Sequence, residues 1–154
     1  MALRLEHRVP PPIVAACTAG LMYAAALALP VLAFDLPYRL VPVMALVAVG
    51  IAIDIAGIVH FWRARTTVNP LTPQRASALV TGGIYRWTRN PMYLGMAALL
   101  LAWGLWLANA GALAVISLFI AYLNRFQIAP EERALRARFG DEYTAYRARV
   151  RRWI

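Results

Sequence analysis

The chain has 154 residues, of which 62% are hydrophobic and 15% charged. Soluble domains run near 45–50% apolar and about 25% charged, and a chain this short cannot bury so much apolar surface in one core, so an ordinary soluble domain and a disordered chain are both excluded. The formal net charge is +9, from 16 basic residues against 7 acidic ones; every basic residue is Arg, and no basic soluble segment stands apart from the apolar runs, so the charge points to a membrane face and no nucleic-acid partner is expected.

The first apolar run extends from about Ile13 to Phe34, after Pro10-Pro11-Pro12. It is uncharged and too long for the hydrophobic core of a signal peptide. Cys17 lies within it and is expected to be a small packed residue. As the single cysteine it excludes an internal disulfide and a thiolate cluster, and with only His7 and His60 no metal site is expected. The second run, about Leu40 to Trp62, contains one charge, Asp54. Both runs can cross a hydrocarbon core, which takes about 20 residues.

The third and fourth runs, about 92–108 and 112–124, form a hairpin around Asn109-Ala110-Gly111. Each arm is short for a full span. Lipid offers the backbone no hydrogen bonds, so all four runs are expected to be helices, and no run alternates with the period of a β-barrel. The predicted architecture is one all-α integral-membrane domain over residues 1–154. It has four transmembrane helices, a cytosolic loop between the second and third, and cytosolic amphipathic helices over about 130–152 that form the site.

Arginine placement sets the expected orientation. Only Arg39 falls between the first two runs. Arg4 and Arg8 precede the first, Arg63 to Arg89 separate the second from the third, and Arg125 to Arg152 follow the fourth. Both termini and the central segment are therefore expected in the cytosol, in a bacterial inner membrane.

Within the cytosolic parts, Leu135, Phe139, Tyr143, Tyr146, Val150 and Trp153 recur at helical spacing and share one face. Gly140-Asp141 should end one helix and cap the next. Such a stripe suits an interfacial helix on anionic lipid as well as a helix that covers a site.

Several residues are candidates for chemistry. A carboxylate within a span is costly, so Asp54 is a functional candidate; the preferred reading is a structural partner for an Arg from the cytosolic loop, and a neutral acid is the third. The segment from Thr81 to Gly95 crowds aromatics, Arg and Gly into the entrance of a helix. Pro91 suits that helix's first turn. Tyr85, Trp87 and Tyr93 offer flat faces for a ligand such as adenine, or an interfacial aromatic belt. Glu131-Glu132 follow Pro130, as acids at a helix start do, and could equally hold a cation or a ligand hydroxyl. No Rossmann or Walker glycine loop and no nucleophilic triad can be assembled.

Leu79-Val80-Thr81-Gly82-Gly83-Ile84-Tyr85, Arg89-Asn90-Pro91-Met92-Tyr93-Leu94-Gly95, then Glu131-Glu132-Arg133-Ala134-Leu135, Phe139-Gly140, Tyr143 and Tyr146 occur in that order. This pattern resembles the isoprenylcysteine carboxyl methyltransferases and the related phospholipid methyltransferases over about Thr66 to Ile154. The resemblance implies an integral-membrane methyltransferase that uses S-adenosylmethionine without a Rossmann domain. By position it implies cofactor contacts at Ser77, Ala78, Leu79, Val80, Tyr85, Asn90, Pro91, Met92, Tyr93 and Glu131. Ser77 and Asn90 stand where eukaryotic members carry His, and Gln127 where they carry a substrate-facing Arg, with Arg125 nearby to replace it. Glu132 is the candidate to orient the nucleophile or to accept a proton from an amine. The implied acceptor is a lipophilic or small carboxylate, thiol or amine, reached from the bilayer or the cytosol, and farnesyl-cysteine is not fixed. Oligomeric state is open. The rival readings are a small transporter subunit and a non-catalytic membrane interaction protein.

Overall fold

In a computed structural model, Glu6, residues 8–63 and residues 78–154 are described. Helix α1 covers Pro11–Ala28, α2 Leu40–Arg63, α3 Pro91–Leu107, α4 Ala110–Leu123 and α5 Ala129–Arg149. All regular structure among the described residues is helical, apart from an isolated bridge between Ala33 and Asn109. The molecule is an all-α membrane protein.

Proline and asparagine set the helix ends. Pro11 occupies the first turn of α1, where its missing N–H costs nothing. Pro30 cannot continue α1, which stops at Ala28 and passes into a short 3-10 turn, Pro30–Leu32. Between α3 and α4 the turn is tighter than the sequence suggests. Ala108 takes a left-handed conformation (φ 48°), and α4 resumes at Ala110. Asn109 caps it, its Oδ1 accepting from the Ala112 N–H at 3.0 Å. Its Nδ2 donates to the Leu29 carbonyl at 2.8 Å, joining the hairpin tip to the end of α1.

Helix α3 has 17 residues, roughly 26 Å at 1.5 Å per residue, so it is shorter than a typical hydrocarbon core. Helix α4 behaves differently from the expected short arm. It continues through a π-helical turn, Asn124–Ile128, directly into α5. Pro130 lies in the first turn of α5, as expected of a helix start, but that turn is part of a continuous rod. Proline has no N–H to return to the carbonyl four residues back, and the π turn before it takes up the misfit. The true break comes at Gly140, whose φ of 51° and ψ of −120° are open to glycine.

The core lies among α1, α3 and α4, with Met22, Tyr93, Leu100, Ala112, Phe119, Leu123 and Ile128 buried together. The Trp103 indole N–H spans two helices to the Ala19 carbonyl at 3.1 Å. Helix α2 packs along the other side of α3, where Gly50 and Gly95 bring the backbones close; a Cβ on Gly95 would stand 2.8 Å from the Gly50 carbonyl oxygen. Outer faces carry exposed Leu21, Leu27, Val41, Met44, Ile55 and Leu118, as lipid-facing helices do. Cys17 is on such a face and is exposed, not packed as its apolar neighbours suggested. Along a helix immersed in lipid, an apolar run fills the outer face as readily as the inner one.

The ends of the bundle are chemically unlike. At one end Arg39 reaches the α3–α4 hairpin, its NH1 3.2 Å from the Trp106 carbonyl and its guanidinium 4.7 Å above the Trp106 ring. At the other end gather residues 8–10, 79–90, 124–133 and 151–153, which hold Arg8, Arg86, Arg89, Arg125, Arg133, Arg151 and Arg152.

Candidate active site at the arginine-rich end

Local structure brings the aromatic segment together. Gly83 has a left-handed backbone (φ 58°), and the His60 ring fills the space a Cβ would need. His60 is held in turn by its Nδ1, 2.8 Å from the Ala56 carbonyl. The 3-10 turn Gly83–Arg86 then places Tyr85 inside, 4% exposed, with Phe61 edge-on at 5.5 Å.

The stripe on α5 covers this turn. Tyr143, Tyr146 and Val150 are buried with Tyr85, and Leu79, Val80, Ile84, Leu135, Phe139 and Phe61 pack around them. The Tyr146 hydroxyl donates to the Tyr85 carbonyl at 2.7 Å. The stripe is thus a protein-facing surface for most of its length, and not a lipid-facing one. Trp153, the last of the series, packs instead against the α1–α3–α4 core.

Helix α3 begins at Pro91 beneath this layer. The Tyr93 hydroxyl donates to Glu131 Oε1 at 2.6 Å, joining two candidates far apart in sequence. Glu131 lies on α5, past the end of the apolar α4. Burial pushes its carboxyl up to about 8, the Tyr93 hydrogen bond opposes the rise, and the neighbouring Glu132 adds to it. Burial also drives the Tyr85 phenol well up, with Tyr146 and Glu131 adding to the shift. Its hydroxyl is buried and has no hydrogen-bond partner among the described residues.

Glu132 has a different environment. Arg152 grips it with two bonds, Nε to Oε1 at 3.0 Å and NH2 to Oε2 at 2.7 Å. Arg89 NH2 lies 3.1 Å from the same Oε1. Both carboxylate oxygens are therefore in ion pairs. Arg89 is 9% exposed, and its Nε and Nη1 are buried without a hydrogen-bond partner among the described residues.

The remaining candidates are dispersed. Ser77 lies outside the described residues. Leu79 and Val80 pack against the tyrosine layer, and Asn90 turns its amide to the Arg152 carbonyl at 2.9 Å. Pro91 and Met92 stand against Gly57 of α2. Gln127 is fully buried and donates to the Val9 carbonyl at 2.6 Å, while its Oε1 has no partner among the described residues. Arg125 is 3.7 Å from Glu6, which also pairs with Arg133 at 2.7 Å. Among the described residues, Gln127 and Arg125 thus bond to the N-terminal segment. Asp54 abuts Gly95 at the α2–α3 seam, its Oδ1 buried without a hydrogen bond. Among the described residues no Arg pairs with it, so the expected ion pair is not formed there.

Sequence reasoning missed Arg152, Thr88 and Asn124, which join this end of the molecule together. Their chemistry was visible only as one more Arg in a basic tail and two ordinary polar residues.

A family model for phospholipid methyltransferase matches residues 38–142, more than half of the chain. The chain belongs to the phospholipid methyltransferase family. The match takes in α2, α3, α4 and α5 as far as the Gly140 kink, and so both Tyr93 and Glu131. An uncharacterized protein of Haemophilus influenzae is similar to this chain, with 51% identity over 63 residues, 41% of this chain and 100% of that relative. No solved structure matches. Family membership and the apolar helices together give a membrane methyltransferase in general terms.

Proposed function

We propose that this chain binds S-adenosylmethionine at the Tyr85–Tyr93–Glu131 cluster and methylates a lipophilic acceptor. The observation that carries the reading is the Glu131 carboxyl, buried beside two tyrosines, one of which has an unused hydroxyl. A buried carboxylate without a counterion is costly, and an adjacent cation repays that cost. S-adenosylmethionine is such a cation, and its hydroxyls and adenine suit tyrosine partners. When bound, it supplies a methyl carbon activated by its sulfonium.

Each residue has a role in this reading. Glu131, ionised on binding, faces positive charge on the cofactor. Tyr93 fixes the carboxylate by its short hydrogen bond. Tyr85 offers its hydroxyl, and the α5 stripe excludes water from above it. Ala78, Leu79, Val80, Asn90, Pro91 and Met92 are the further cofactor contacts that the family resemblance implies, with Ser77 outside the described residues. Methyl transfer is an in-line displacement, so positioning is most of what the protein must provide.

The acceptor comes from the bilayer, as the family suggests, and meets the cofactor near the cytosolic face. Gln127, buried against Val9, is the candidate to face it. Its unpartnered Oε1 can accept from an amine or hydroxyl, whereas the Arg that Gln127 replaces would favour a carboxylate. Glu132 serves less well as a free base than as a fixed strut, because guanidinium groups engage both its oxygens. Arg125 remains a candidate for the acceptor's anionic part once its exposed, long contact with Glu6 is exchanged. Both termini lie in the cytosol of a bacterial inner membrane, on the side where the water-soluble cofactor is found.

The test is calorimetric titration of the purified protein in nanodiscs with S-adenosylmethionine, followed by methylation of lipids with amine or hydroxyl headgroups. Saturable binding that Glu131→Gln weakens supports the reading. Absence of binding to the wild-type protein contradicts it.

A further inference from the structure

After α5 the chain turns extended at Val150 (φ −121°, ψ 131°) and runs back beside the entrance of α3. The Arg89 N–H donates to the Arg151 carbonyl at 3.0 Å. The Arg152 carbonyl accepts from Asn90 Nδ2 at 2.9 Å and from the Thr88 hydroxyl at 3.3 Å. That hydroxyl in turn accepts from the Asn90 N–H at 3.1 Å. The Thr88–Asn90 corner is thus bonded to the C-terminal segment by backbone and side chain together.

The Arg152 side chain reaches two further elements. It holds Glu132 bidentately on α5, and its NH1 lies 3.3 Å from Asn124 Oδ1 in the π turn. The same Asn124 oxygen accepts from the Trp153 indole at 3.2 Å. One residue therefore ties the start of α3, the start of α5 and the π turn between α4 and α5. The elements it ties are those that carry Tyr93 and Glu131. A planar guanidinium fork on a carboxylate fixes direction as well as distance, which an ammonium does not. Arg152 lies beyond the residues that the family model matches.

We propose that Arg152 is a positioning residue for the methyl-transfer site. Through Glu132 and the Asn90 corner it sets the separation of α3 and α5, and with it the Tyr93–Glu131 pair. The proposal rests on the function proposed above, so its test has one arm that needs the cofactor and one that does not.

In the first arm, S-adenosylmethionine affinity is measured by calorimetry for Arg152→Gln, Arg152→Lys, Glu132→Gln and the double variant Arg152→Gln/Glu132→Gln. Arg152→Gln should weaken binding about tenfold and Arg152→Lys less, and the double variant should be no weaker than the worse single one, as expected of directly coupled charges. In the second arm, the Glu131 carboxylic-acid infrared band is followed against pH without cofactor, with Glu131→Gln to assign it. The groups facing Glu131 are Tyr93 from α3, Tyr85 from the 3-10 turn and Glu132 on α5. Loss of the Arg152 charge leaves Glu132 less neutralised, so the Glu131 midpoint should move to higher pH in Arg152→Gln and stay near wild type in Arg152→Lys.

An unchanged midpoint in Arg152→Gln, or additive effects on affinity, overturns the proposal. Where Arg152→Gln does not fold, Arg152→Lys decides the first arm, and wild-type affinity in that variant contradicts the need for a bidentate grip. Failure of the wild-type protein to bind the cofactor overturns the functional reading alone, because the infrared arm still reads the action of Arg152.

Discussion

The Tyr93 hydroxyl and Glu131 Oε1 are 2.6 Å apart, and this bond links the first turn of α3 to the first turn of α5. A hydrogen bond to a carboxylate in a part-buried place is stronger than one between neutral groups, because the surroundings screen it less. The pair is therefore a tie between helices, and in the proposed function it also presents the negative charge to the cofactor.

Removing the tyrosine hydroxyl isolates the carboxyl. Tyr93→Phe should weaken S-adenosylmethionine binding by about 1.5–3 kcal/mol, the range for hydrogen bonds to charged groups. Calorimetry on the purified variant checks this, with thermal melting to show that the fold persists. Unchanged affinity would place the cofactor elsewhere.

The raised Glu131 carboxyl gives a pH dependence with a defined sign. Its ordinary value is 4.5 and its folded value about 8, so the folded protein binds the proton more tightly than the unfolded chain. Its contribution to stability is full below about 4.5, falls as pH rises, and is lost above about 8. Thermal melting across that window should show the decline, and Glu131→Gln should flatten it. Cofactor affinity should run the other way. A cation needs the ionised carboxylate, so binding tightens as pH rises towards 8 and releases a proton near neutral pH. Calorimetry in buffers of different ionisation enthalpy measures that proton directly.

Much of this pair was legible in the sequence. Pro91 marked a helix start, which put Tyr93 in the first turn, and the paired acids after Pro130 marked another. Periodicity then placed Tyr143 and Tyr146 on one face, and Gly140 marked the break. Sequence could not supply the approach of the two turns, since nothing local encodes which helix ends meet. Arg152 was hidden for the same reason: its partners are 20 or more residues away, and a basic tail has many equivalent arginines. Pro130 marked the first turn of α5, but nothing local showed that a π turn joins that turn directly to α4. Gln127 was singled out, but its bond to the Val9 carbonyl joins opposite ends of the chain.

The close passage of α2 and α3 should be intolerant of one methyl group. A Cβ on Gly95 collides with Asp54 Oδ1 and crowds the Gly50 carbonyl, whereas one on Gly20 in α1 meets nothing within 4 Å. Gly95→Ala should cost about 1–3 kcal/mol of stability, the usual range for overpacking. Gly20→Ala is the control and should leave melting unchanged. Melting of both variants in the same detergent checks the difference.

Arginine asymmetry and the two unlike ends of the bundle give the expected orientation. A reporter fused after Ile154 should be active on the cytosolic side, and one inserted near Tyr38 on the opposite side. Tyr38 is 88% exposed in the short connection before α2, so an insertion there disturbs little packing. Periplasmic activity of the Ile154 fusion would invert the topology.

The central claim is that the Tyr93–Glu131 pair forms part of a methyl-donor site. The most direct measurement is transfer of radiolabelled methyl from S-adenosylmethionine to extractable lipid by the purified protein in nanodiscs. The wild-type protein should label lipid, and Glu131→Gln should abolish labelling while the protein remains folded. Equal labelling by wild type and Glu131→Gln would contradict the account.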